Sequence, residues 1–375
     1  MTDLILPVLL LLFAWPLLLF PALMKLWPVP RSSAPPPTDD ELPPLTLIIC
    51  ALNEERVIRA KLDNCLALDY PPDKLTVVVI DDGSTDGTAA AVRAYEPRGI
   101  RLVSQPARRG KAANLNEAAP AAATPIVAFS DANVMYRPDA LRRLMGAFRD
   151  PRVGGATGRV VLAGSAEEFR AAERQYYSLE WAIHDASTCI WSMAGCDGAM
   201  YALRRELFRP VPEDTLIEDF VHALAVVRQG WRMVFVPEAA AWEQGPQSLS
   251  EEWRRKVRIA AGAAQCVLRG NGWPFGAPWR FWWIWASHKL LRWLAPFTGL
   301  AAVLTAAATP ARPLSQLTLA AAVALLLAAL GRAAGGRHPV FNAPFYLLFG
   351  LAAGFTGMLK GAAGRQAVRW SKADR

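Results

Sequence analysis

The amino-acid sequence predicts an α/β protein in which a doubly wound, mostly parallel sheet is flanked by N- and C-terminal transmembrane helices. Between residues 45 and 245, short apolar runs alternate with helical stretches, which is the pattern of parallel strands joined by crossover helices. Polar clusters follow these runs, at the strand ends where such sheets bind ligands. Hydrophobic residues form 53% of the 375 residues, and long uncharged stretches near both ends of the chain contribute the excess.

Residues 1–27 are predicted to form a transmembrane helix. Between Asp3 and Lys25 the segment carries no charge, and about 20 apolar residues are enough to span a bilayer. A cleaved signal peptide is the alternative, but the segment lacks both a basic start and a small-residue cleavage site. Arg31 follows Lys25 after the helix, which favours a cytosolic position for the next domain.

The central domain is predicted to begin after a linker. Residues 28–44 are rich in proline and polar residues, as is typical of a linker. The domain predicted over residues 45–245 begins with four strands, each followed by a helix. The helix after the fourth strand is expected to start at Pro138, because proline suits the first helical turn. The four predicted strands cover residues 45–50, 75–80, 100–105 and 125–131.

The C-terminal part is predicted to contain three further regions. Residues 246–287 mix cationic and tryptophan side chains, which favours an amphipathic interfacial region over a solvated helix followed by a packed loop. Residues 288–362 contain three apolar stretches and are predicted to be transmembrane segments, and residues 363–375 are a basic tail. Three spans put this tail outside the cell, whereas its charge favours the cytosol. An interfacial or re-entrant stretch is therefore an alternative to a third span.

The charge, the motifs and the cysteine usage together exclude a nucleic-acid-binding protein and a protein built on disulfides or a cysteine metal site. The net charge of +8 suits anionic lipids, phosphorylated substrates or nucleic acid. Because the sequence has neither an aromatic-basic RNA motif nor zinc-finger spacing, nucleic acid is not an expected partner. The five cysteines are scattered without paired spacing, which predicts reduced thiols and excludes a disulfide framework or a cysteine metal site.

Three histidines are expected to have structural positions. His222 and His184 are expected to pack inside the protein, as histidines on predicted helices commonly do. His288 lies near Lys289 and Arg292 in the sequence, and we expect this group at the lipid headgroup boundary.

Four clusters of polar residues follow the four predicted strands. Adjacent carboxylates in the second cluster suit the hydroxyl groups of a nucleoside. In the third cluster Lys111 suits phosphate oxygens, and in the fourth Asp131 and Asn133 can face one hard cation. Taken singly, the clusters also fit a helix start, a turn or a solvated basic loop, but their order at strand ends favours one binding site. The clusters are residues 53–55, 81–88, 107–118 and 131–133.

Six motifs between residues 45 and 259 resemble those of glycosyltransferase family 2, whose members use nucleotide sugars and have the GT-A fold. The apolar flanks resemble the cellulose- and hyaluronan-synthase-like membrane branch of that family. The resemblance implies an enzyme of the EC 2.4 class, a glycosyltransferase of the hexosyltransferase type. The motifs are ALNEE, VIDDGSTDGT, RRGKAANLN, FSDANVMYRPDAL, GCDGAMYALRREL and LIEDFVHALAVVRQGWRMVFVPEAAAWE.

On the donor side, the resemblance implies roles for residues in all four clusters. The first two clusters hold the uridine end of the donor, with one of the two adjacent aspartates of the second, and Lys111 lies near the phosphates. Asp131 is the first acid of the family's D-x-D metal motif, so Asp131 and Asn133 are the implied ligands of a divalent metal, Mg²⁺ or Mn²⁺. The implied donor-binding residues are Asn53, Glu54, Asp81, Asp82, Lys111 and Asp131.

On the acceptor side, the resemblance implies that Asp219 is the general base of an inverting transfer. A carboxylate within hydrogen-bond reach can deprotonate the acceptor hydroxyl as it attacks the anomeric carbon. A metal ion and basic side chains neutralise the departing diphosphate. The residues implied to line the acceptor or diphosphate side are Gly195, Asp197, Gly198, Glu218, Arg255 and Arg258.

Two positions depart from the family motifs. Asn133 replaces the second aspartate of the metal motif, so we expect weaker metal binding but retained function, because an amide oxygen still coordinates a metal ion. Residues 255–259 replace the Q-x-x-R-W motif of processive synthases and keep its arginine, Arg258, but neither its Gln nor its Trp. The missing tryptophan removes a stacking platform for the acceptor sugar, which disfavours processive polymerisation.

The sequence therefore predicts a membrane-anchored, inverting glycosyltransferase. We expect it to move a sugar from a nucleotide diphosphate sugar, with UDP-sugars favoured, to a lipid or saccharide acceptor. The expected location is the inner (plasma) membrane, as a multi-pass protein in contact with membrane lipids and with a cytosolic catalytic domain. A processive exopolysaccharide synthase, aided by a partner subunit, is one alternative. A non-catalytic nucleotide-sugar-binding scaffold or sensor and a nucleotidyltransferase are alternatives from other classes.

Overall fold

The computed structural model describes residues 2–30, 35–164, 167–335 and 338–367. Arg31 and residues 368–375, which are most of the predicted basic tail, lie outside them. Within the described residues, one eight-stranded sheet carries helices on both faces, and long apolar helices precede and follow it. The predicted α/β class, with a mostly parallel sheet and flanking apolar helices, is therefore confirmed.

The eight strands of the sheet are numbered in chain order. They are β1 (Leu45–Ala51), β2 (Leu75–Asp81), β3 (Ile100–Ser104), β4 (Ile126–Asp131), β5 (Val134–Tyr136), β6 (Val153–Ala163), β7 (Met200–Arg204) and β8 (Arg232–Gln244). Their order across the sheet is β3-β2-β1-β4-β7-β6-β8-β5. The four predicted strands, β1 to β4, form one parallel block. The other half is mixed, because β7 runs antiparallel to β4 and β6 while β6 and β8 are parallel.

The α-helices of the described residues are also numbered in chain order. They are α1 (Thr2–Ala14), α2 (Phe20–Leu26), α3 (Glu55–Leu66), α4 (Thr88–Arg93), α5 (Lys111–Ala121), α6 (Ala140–Gly146), α7 (Glu167–Ile190), α8 (Glu218–Arg228), α9 (Leu249–Leu268), α10 (Trp279–Trp285), α11 (Leu291–Ala308), α12 (Pro313–Ala333) and α13 (Pro339–Ala362). Short π-helical segments, Trp15–Leu19 and Ala286–Leu290, join α1 to α2 and α10 to α11. Both pairs therefore form continuous helical rods.

The inner strands β1 and β4 of the parallel block are buried on both faces, which explains their uninterrupted apolar runs. Successive side chains of a strand point to opposite faces. Leu47 and Ile49 of β1 belong to the core that includes Ile58 of α3. Ile48, between them, belongs to the core that includes Leu115 of α5 and residues of α8. One apolar run thus contributes to two cores, and the loops at its carboxyl end lie between two helix layers.

Helix α6 begins two residues later than the sequence predicted. Its first residue is Ala140, and Asp139 is the N-cap. Pro138 belongs to the preceding loop, where its carbonyl oxygen accepts a hydrogen bond of 2.8 Å from the backbone N–H of Asp69. The prediction that this helix starts at Pro138 was therefore wrong, because a contact to a distant loop holds the proline.

Four helices among the described residues are long and apolar enough to cross a membrane. They cover Leu4–Leu26, Trp279–Ala308, Pro313–Ala333 and Val340–Ala362. The second of them runs without a break through position 288, so the boundary expected between residues 287 and 288 falls inside one helix. The division of the chain into domains otherwise stays a prediction.

The tryptophan-rich start of this second helix is attached to the central domain. Phe281 and Trp285 of α10 are fully buried, in the core that also contains Phe220 of α8. The first apolar helix packs against α10 as well, because Phe20 of α2 contacts the ring of Trp283. Aromatic side chains that the sequence associated with a lipid interface therefore join the apolar helices to the domain core.

Helix α13 packs closely against α9 through small residues. A Cβ atom on Gly357 would lie 2.4 Å from the carbonyl oxygen of Val257, and one on Gly361 would lie 2.2 Å from that of Ala261. Such backbone approach is possible only without side chains. An apolar helix near the C-terminus thus fixes the helix that carries Arg258.

Candidate active site

The first two polar clusters form a single interlocked loop pair. Asn53 has a φ of +55°, which is unusual for a residue other than glycine. Its side-chain Oδ1 accepts a hydrogen bond of 2.8 Å from the backbone N–H of Thr85, and its own N–H donates to Ser84 Oγ over 2.9 Å. The N–H of Glu54 donates to Thr88 Oγ1 over 2.7 Å. The loops after β1 and β2 therefore hold each other in place.

The two adjacent aspartates of the second cluster have different hydrogen-bond partners in the structure. Asp82 accepts hydrogen bonds of 2.7 to 3.1 Å from the N–H groups of Arg109 and Gly110 and from the Nδ2 of Asn114. Its carboxylate therefore holds the basic loop before α5. Asp81 accepts a longer bond of 3.3 Å from the N–H of Ser84. Since a carboxylate can accept about four hydrogen bonds, Asp81 keeps more acceptor capacity for a ligand.

Lys111 contacts one residue predicted on the donor side and one predicted on the acceptor side. Its Nζ lies 2.7 Å from Asp131 Oδ1 and 3.0 Å from Glu218 Oε1. Burial by itself lowers the pKa of this ammonium group, but the charges of Asp131 and Glu218 hold it well above its usual value. A fixed cation thus lies between two carboxylates that come from β4 and from the first turn of α8.

Asp219 follows Glu218 in the first turn of α8. Burial and the neighbouring charge of Glu218 raise the pKa of Asp219. The pKa of Glu218 is lowered, since the attraction of Lys111 and Arg258 outweighs the effect of burial. The pair therefore contains one carboxylate that is fixed in its charged form and one that accepts a proton more readily.

The loop at residues 195–198 lies directly against Asp219. A Cβ atom on Gly198 would be 2.9 Å from Asp219 Oδ2, so only glycine leaves the carboxylate in its place. Gly195 has a φ of +116°, and a Cβ there would lie 3.7 Å from Lys289 Nζ. The thiol of Cys196 donates to the backbone oxygen of Asp219 over 3.2 Å.

Asp197 lies among the other acids of the site. Burial, with the charges of Glu243, Asp219 and Asp131, raises the pKa of Asp197 to about 7. Its Oδ1 accepts a hydrogen bond of 3.0 Å from the N–H of Ala199. Four carboxylates are thus close enough to influence one another, as expected of a site that binds a multiply charged ligand or cation.

Asn133 has a partner that the sequence gave no reason to expect. Its Nδ2 donates to Glu243 Oε1 over 3.2 Å. The two residues are 110 positions apart, and they meet because β5 pairs with β8, with Val134 opposite Glu243. Glu243 is the last residue of the sixth motif, but the sequence did not assign it to this site, because no motif spacing connects it to Asn133.

The two arginines of α9 have different surroundings. Arg255 forms two hydrogen bonds, of 2.8 and 3.0 Å, with the buried carboxylate of Glu252. Arg258 Nη1 donates to the carbonyl oxygen of Leu216 over 2.7 Å, just before α8. The structure therefore brings Arg258 to Glu218 and Asp219, whereas Arg255 pairs with Glu252 in its own helix and lies within electrostatic reach of Glu243.

Of the three histidines considered in the sequence, His222 and His288 are buried in the protein and His184 is partly buried. His222 is packed as predicted, with Nδ1 3.1 Å from the hydroxyl of Tyr201. His288 is fully buried and its Nε2 lies 3.0 Å from Glu180 Oε2, so its side chain faces the protein, and its depth at the headgroup boundary stays a prediction. Arg292 pairs with the same carboxylate. Glu180 thus binds α7 to the helical rod of α10 and α11.

Comparison with known proteins identifies relatives of the region that contains this site. Residues 43–262 match the family described as Glycosyltransferase like family 2. A probable glycosyltransferase of Bacillus subtilis, YdaM, is 28% identical over 240 residues, and a poly-beta-1,6-N-acetyl-D-glucosamine synthase of Staphylococcus aureus is 28% identical over 236 residues. Each match covers 61% of this chain and 57% of the relative, so the chain spans little more than half the length of these relatives.

One solved structure is similar over almost the entire chain. The mannosyltransferase PcManGT of Pyrobaculum calidifontis, solved in complex with GDP-Man and Mn²⁺, has a TM-score of 0.77 and 26% sequence identity. The match covers 98% of this chain and 100% of that chain. The similarity therefore extends beyond the residues that match the family and includes the apolar helices.

Proposed function

The chain belongs to the Glycosyltransferase like family 2, and we propose that it is a membrane-anchored, inverting glycosyltransferase of the EC 2.4 class. Its donor is a nucleotide diphosphate sugar, and its acceptor is a lipid or a saccharide. Residues 45–245 are the catalytic domain in this proposal. The observation that carries it is the chain of contacts from Asp131 through Lys111 to the Glu218–Asp219 pair, since it links a strand-end binding site to a half-buried candidate base.

The donor binds at the carboxyl ends of β1, β2 and β4. Asn53, Glu54 and Asp81 face the nucleoside, and Lys111 contacts the diphosphate. Asp131 and Asn133 fit a divalent cation, because a carboxylate and an amide oxygen two residues apart are hard oxygen ligands and Asp131 already lies 2.7 Å from one cationic group. A bound Mg²⁺ or Mn²⁺ neutralises charge on the departing diphosphate. The Mn²⁺ and GDP-Man of PcManGT support this assignment.

Asp219 removes the proton from the acceptor hydroxyl. A general base works best when its pKa lies near the operating pH, and both burial and Glu218 raise the pKa of Asp219. Lys111 and Arg258 keep Glu218 charged, so Asp219 is the acid of the pair that takes the proton. The attacking oxygen forms its bond to the anomeric carbon as the bond to the diphosphate breaks, which inverts the configuration.

The acceptor approaches from the membrane side of the domain. Lys289 belongs to a helix that is long enough to cross a membrane, and it lies beside Gly195 at the acceptor side. We place the protein in the inner (plasma) membrane with this domain in the cytosol, in accordance with the cations that follow the first helix. Single addition is favoured, because residues 255–259 lack the tryptophan of processive synthases.

A polymerising synthase is the second candidate. The observation that favours it is the similarity to the Staphylococcus aureus poly-beta-1,6-N-acetyl-D-glucosamine synthase. The two candidates share a donor site and a base, and they differ in whether the product stays bound for another addition.

The experiment that tests the proposal uses the purified full chain with Mn²⁺, a panel of UDP- and GDP-sugars, and membrane lipid extract. We expect release of one nucleoside diphosphate with one sugar added per acceptor, and NMR of the product should show the anomeric configuration opposite to that of the donor. Retained configuration would contradict inversion. A ladder of products would favour the synthase, and pyrophosphate release or an absence of transfer with every donor would contradict the proposal.

A further inference from the structure

The metal-binding position of this chain has one negative charge fewer than its family motif. Asn133 stands where the motif has its second aspartate. A neutral amide is a weaker ligand than a carboxylate for a hard cation, and its side chain has two chemically different ends. If the NH₂ group faced the cation, it would repel it. A working site therefore needs something that fixes the amide orientation and supplies charge.

Glu243 lies where it can do both. Strand β8 brings it opposite Val134, the residue after Asn133, in an antiparallel pair. Its Oε1 accepts a hydrogen bond of 3.2 Å from Asn133 Nδ2. A carboxylate can only accept, so the nitrogen end of the amide must face Glu243. The Oδ1 of Asn133 then points away from Glu243 and is available to a cation.

The charge of Glu243 also reaches the centre of the site. Together with burial and with Asp219 and Asp131, it raises the pKa of Asp197. Glu243 and Asp131 both act on Asp197, so Glu243 lies in the same electrostatic environment as the metal motif. Both Asn133 and Glu243 are partly exposed, so a ligand can reach them from solvent.

We propose that Glu243 is a positioning residue for the divalent cation of the donor site. It directs Asn133 Oδ1 toward the cation. From behind the Asn133 side chain, it also supplies the negative charge that the amide lacks. Residues that orient a metal ligand in this way typically change metal affinity by about 10–100-fold. The inference rests on the proposed function, because it requires the donor to bind with a metal ion at Asp131 and Asn133.

The test measures Mn²⁺ binding to the full chain in detergent, with the matching nucleoside diphosphate present, by the loss of the free Mn²⁺ signal in electron paramagnetic resonance. No turnover is needed. Glu243→Gln keeps an oxygen that can accept from Asn133 but removes the charge, and we expect a Kd for Mn²⁺ about 10-fold higher. Glu243→Ala removes both and should weaken binding further. Glu238→Gln, an exposed glutamate on the same strand, is the matched control and should bind Mn²⁺ within about 2-fold of the parent.

A second substitution separates lost charge from lost folding. Asn133→Asp in the Glu243→Gln background returns the carboxylate to the motif and should restore the Kd to within about 3-fold of the parent. A misfolded variant could not be restored in this way. Failure of this rescue, or a Mn²⁺ Kd unchanged in both Glu243 variants, would overturn the inference.

Asp131→Asn distinguishes failure of this inference from failure of the proposed function. If Asp131→Asn abolishes Mn²⁺ binding while the Glu243 variants bind normally, only the role of Glu243 is wrong. If Asp131→Asn also binds Mn²⁺ like the parent, the metal site of the proposed function is wrong, and the inference is overturned with it.

Discussion

The donor side and the acceptor side of this site are built in different ways. The donor side consists of loops that directly follow β1, β2 and β4, and neighbouring loops hold one another, as Asn53 and Asp82 show. The acceptor side combines the loop at 195–198 with α8, α9 and the rod that begins at α10. In the proposed function, donor recognition thus lies within the parallel block, whereas the acceptor side depends on helices that continue into apolar segments. Substitutions should therefore affect the two functions separately.

Lys111→Met should have the largest effect on donor affinity, because Lys111 is the side chain that contacts both sides. Its loss leaves Glu218, with 9% of its side chain exposed, next to Asp219 without its cation. We expect donor affinity to fall about 10–100-fold and turnover to fall as well. Stability should decrease by less than the roughly 3–5 kcal/mol for breaking a fully buried pair, since Lys111 is 30% exposed. Calorimetric titration with nucleoside diphosphate and thermal unfolding measure these effects.

Lys256→Met is the matched control for that variant. It removes another lysine that pairs with a buried glutamate, Glu252, at 3.0 Å, but outside the donor loops. Donor affinity should remain within about 2-fold. If the two variants weakened donor binding equally, Lys111 would have no special place between the two sides.

Gly198→Ala should damage the acceptor side alone. The added methyl group would lie 2.9 Å from Asp219 Oδ2, so the carboxylate must move. Because small displacements of a reacting group can cost about 100-fold in rate, we expect kcat to fall about 10–100-fold with an unchanged donor Kd. Gly146→Ala, where the nearest atom is at 3.5 Å, should leave both values unchanged. Equal loss of donor affinity and kcat in Gly198→Ala would contradict the separation.

Gly361→Ala tests whether an apolar helix supports the acceptor side. The new methyl group would lie 2.2 Å from the carbonyl oxygen of Ala261, so α13 and α9 must separate and Arg258 must shift. Overpacking typically costs about 1–3 kcal/mol, and we expect a lower unfolding temperature, a several-fold lower kcat and a normal donor Kd. Gly350→Ala, on the same helix but in open space, is the control. A normal kcat despite the lower unfolding temperature would limit the role of α13 to stability.

The acids of the acceptor side should also make the transfer rate depend on pH. In the proposed mechanism Asp219 acts as a base only when deprotonated, and its pKa is raised, so kcat should fall on acidification at a pH above about 4, the usual aspartate pKa. Asp197 titrates in a similar range, with a pKa of about 7. The pH profile of kcat in Asp197→Asn shows which of the two aspartates causes the acidic limb. If Asp219 causes it, the limb should remain in this variant. Its disappearance would assign the limb to Asp197.

The sequence predicted that the loops of the proposed donor side come together, because their signals are local. Each cluster directly follows an apolar run, and parallel strands bring their carboxyl ends to one edge of a sheet. Composition alone could not distinguish Asp81 from Asp82. Their surroundings differ only through the three donors around Asp82, which are two N–H groups of the basic loop and the amide of Asn114 in α5.

The acceptor side was predicted from family motifs rather than from spacing, and the residues that the sequence missed on either side are distant from their partners along the chain. Glu243 reaches Asn133 through antiparallel pairing of a three-residue strand, β5, which short apolar runs do not reveal. Glu180 and His288 meet across 108 positions. A basic group beside tryptophans was interpreted as a lipid boundary, since sequence patterns cannot show that a buried carboxylate faces it.

The separation of the two sides depends most directly on Asp219. The decisive measurement compares Asp219→Asn with the parent for donor Kd, by calorimetry, and for the single-turnover transfer rate. We predict a donor Kd within about 2-fold and a rate at least about 100-fold lower, as for loss of a general base. Asp185→Asn, which removes another half-buried aspartate with a raised pKa, should match the parent in both. A transfer rate in Asp219→Asn equal to that of the parent would contradict the account.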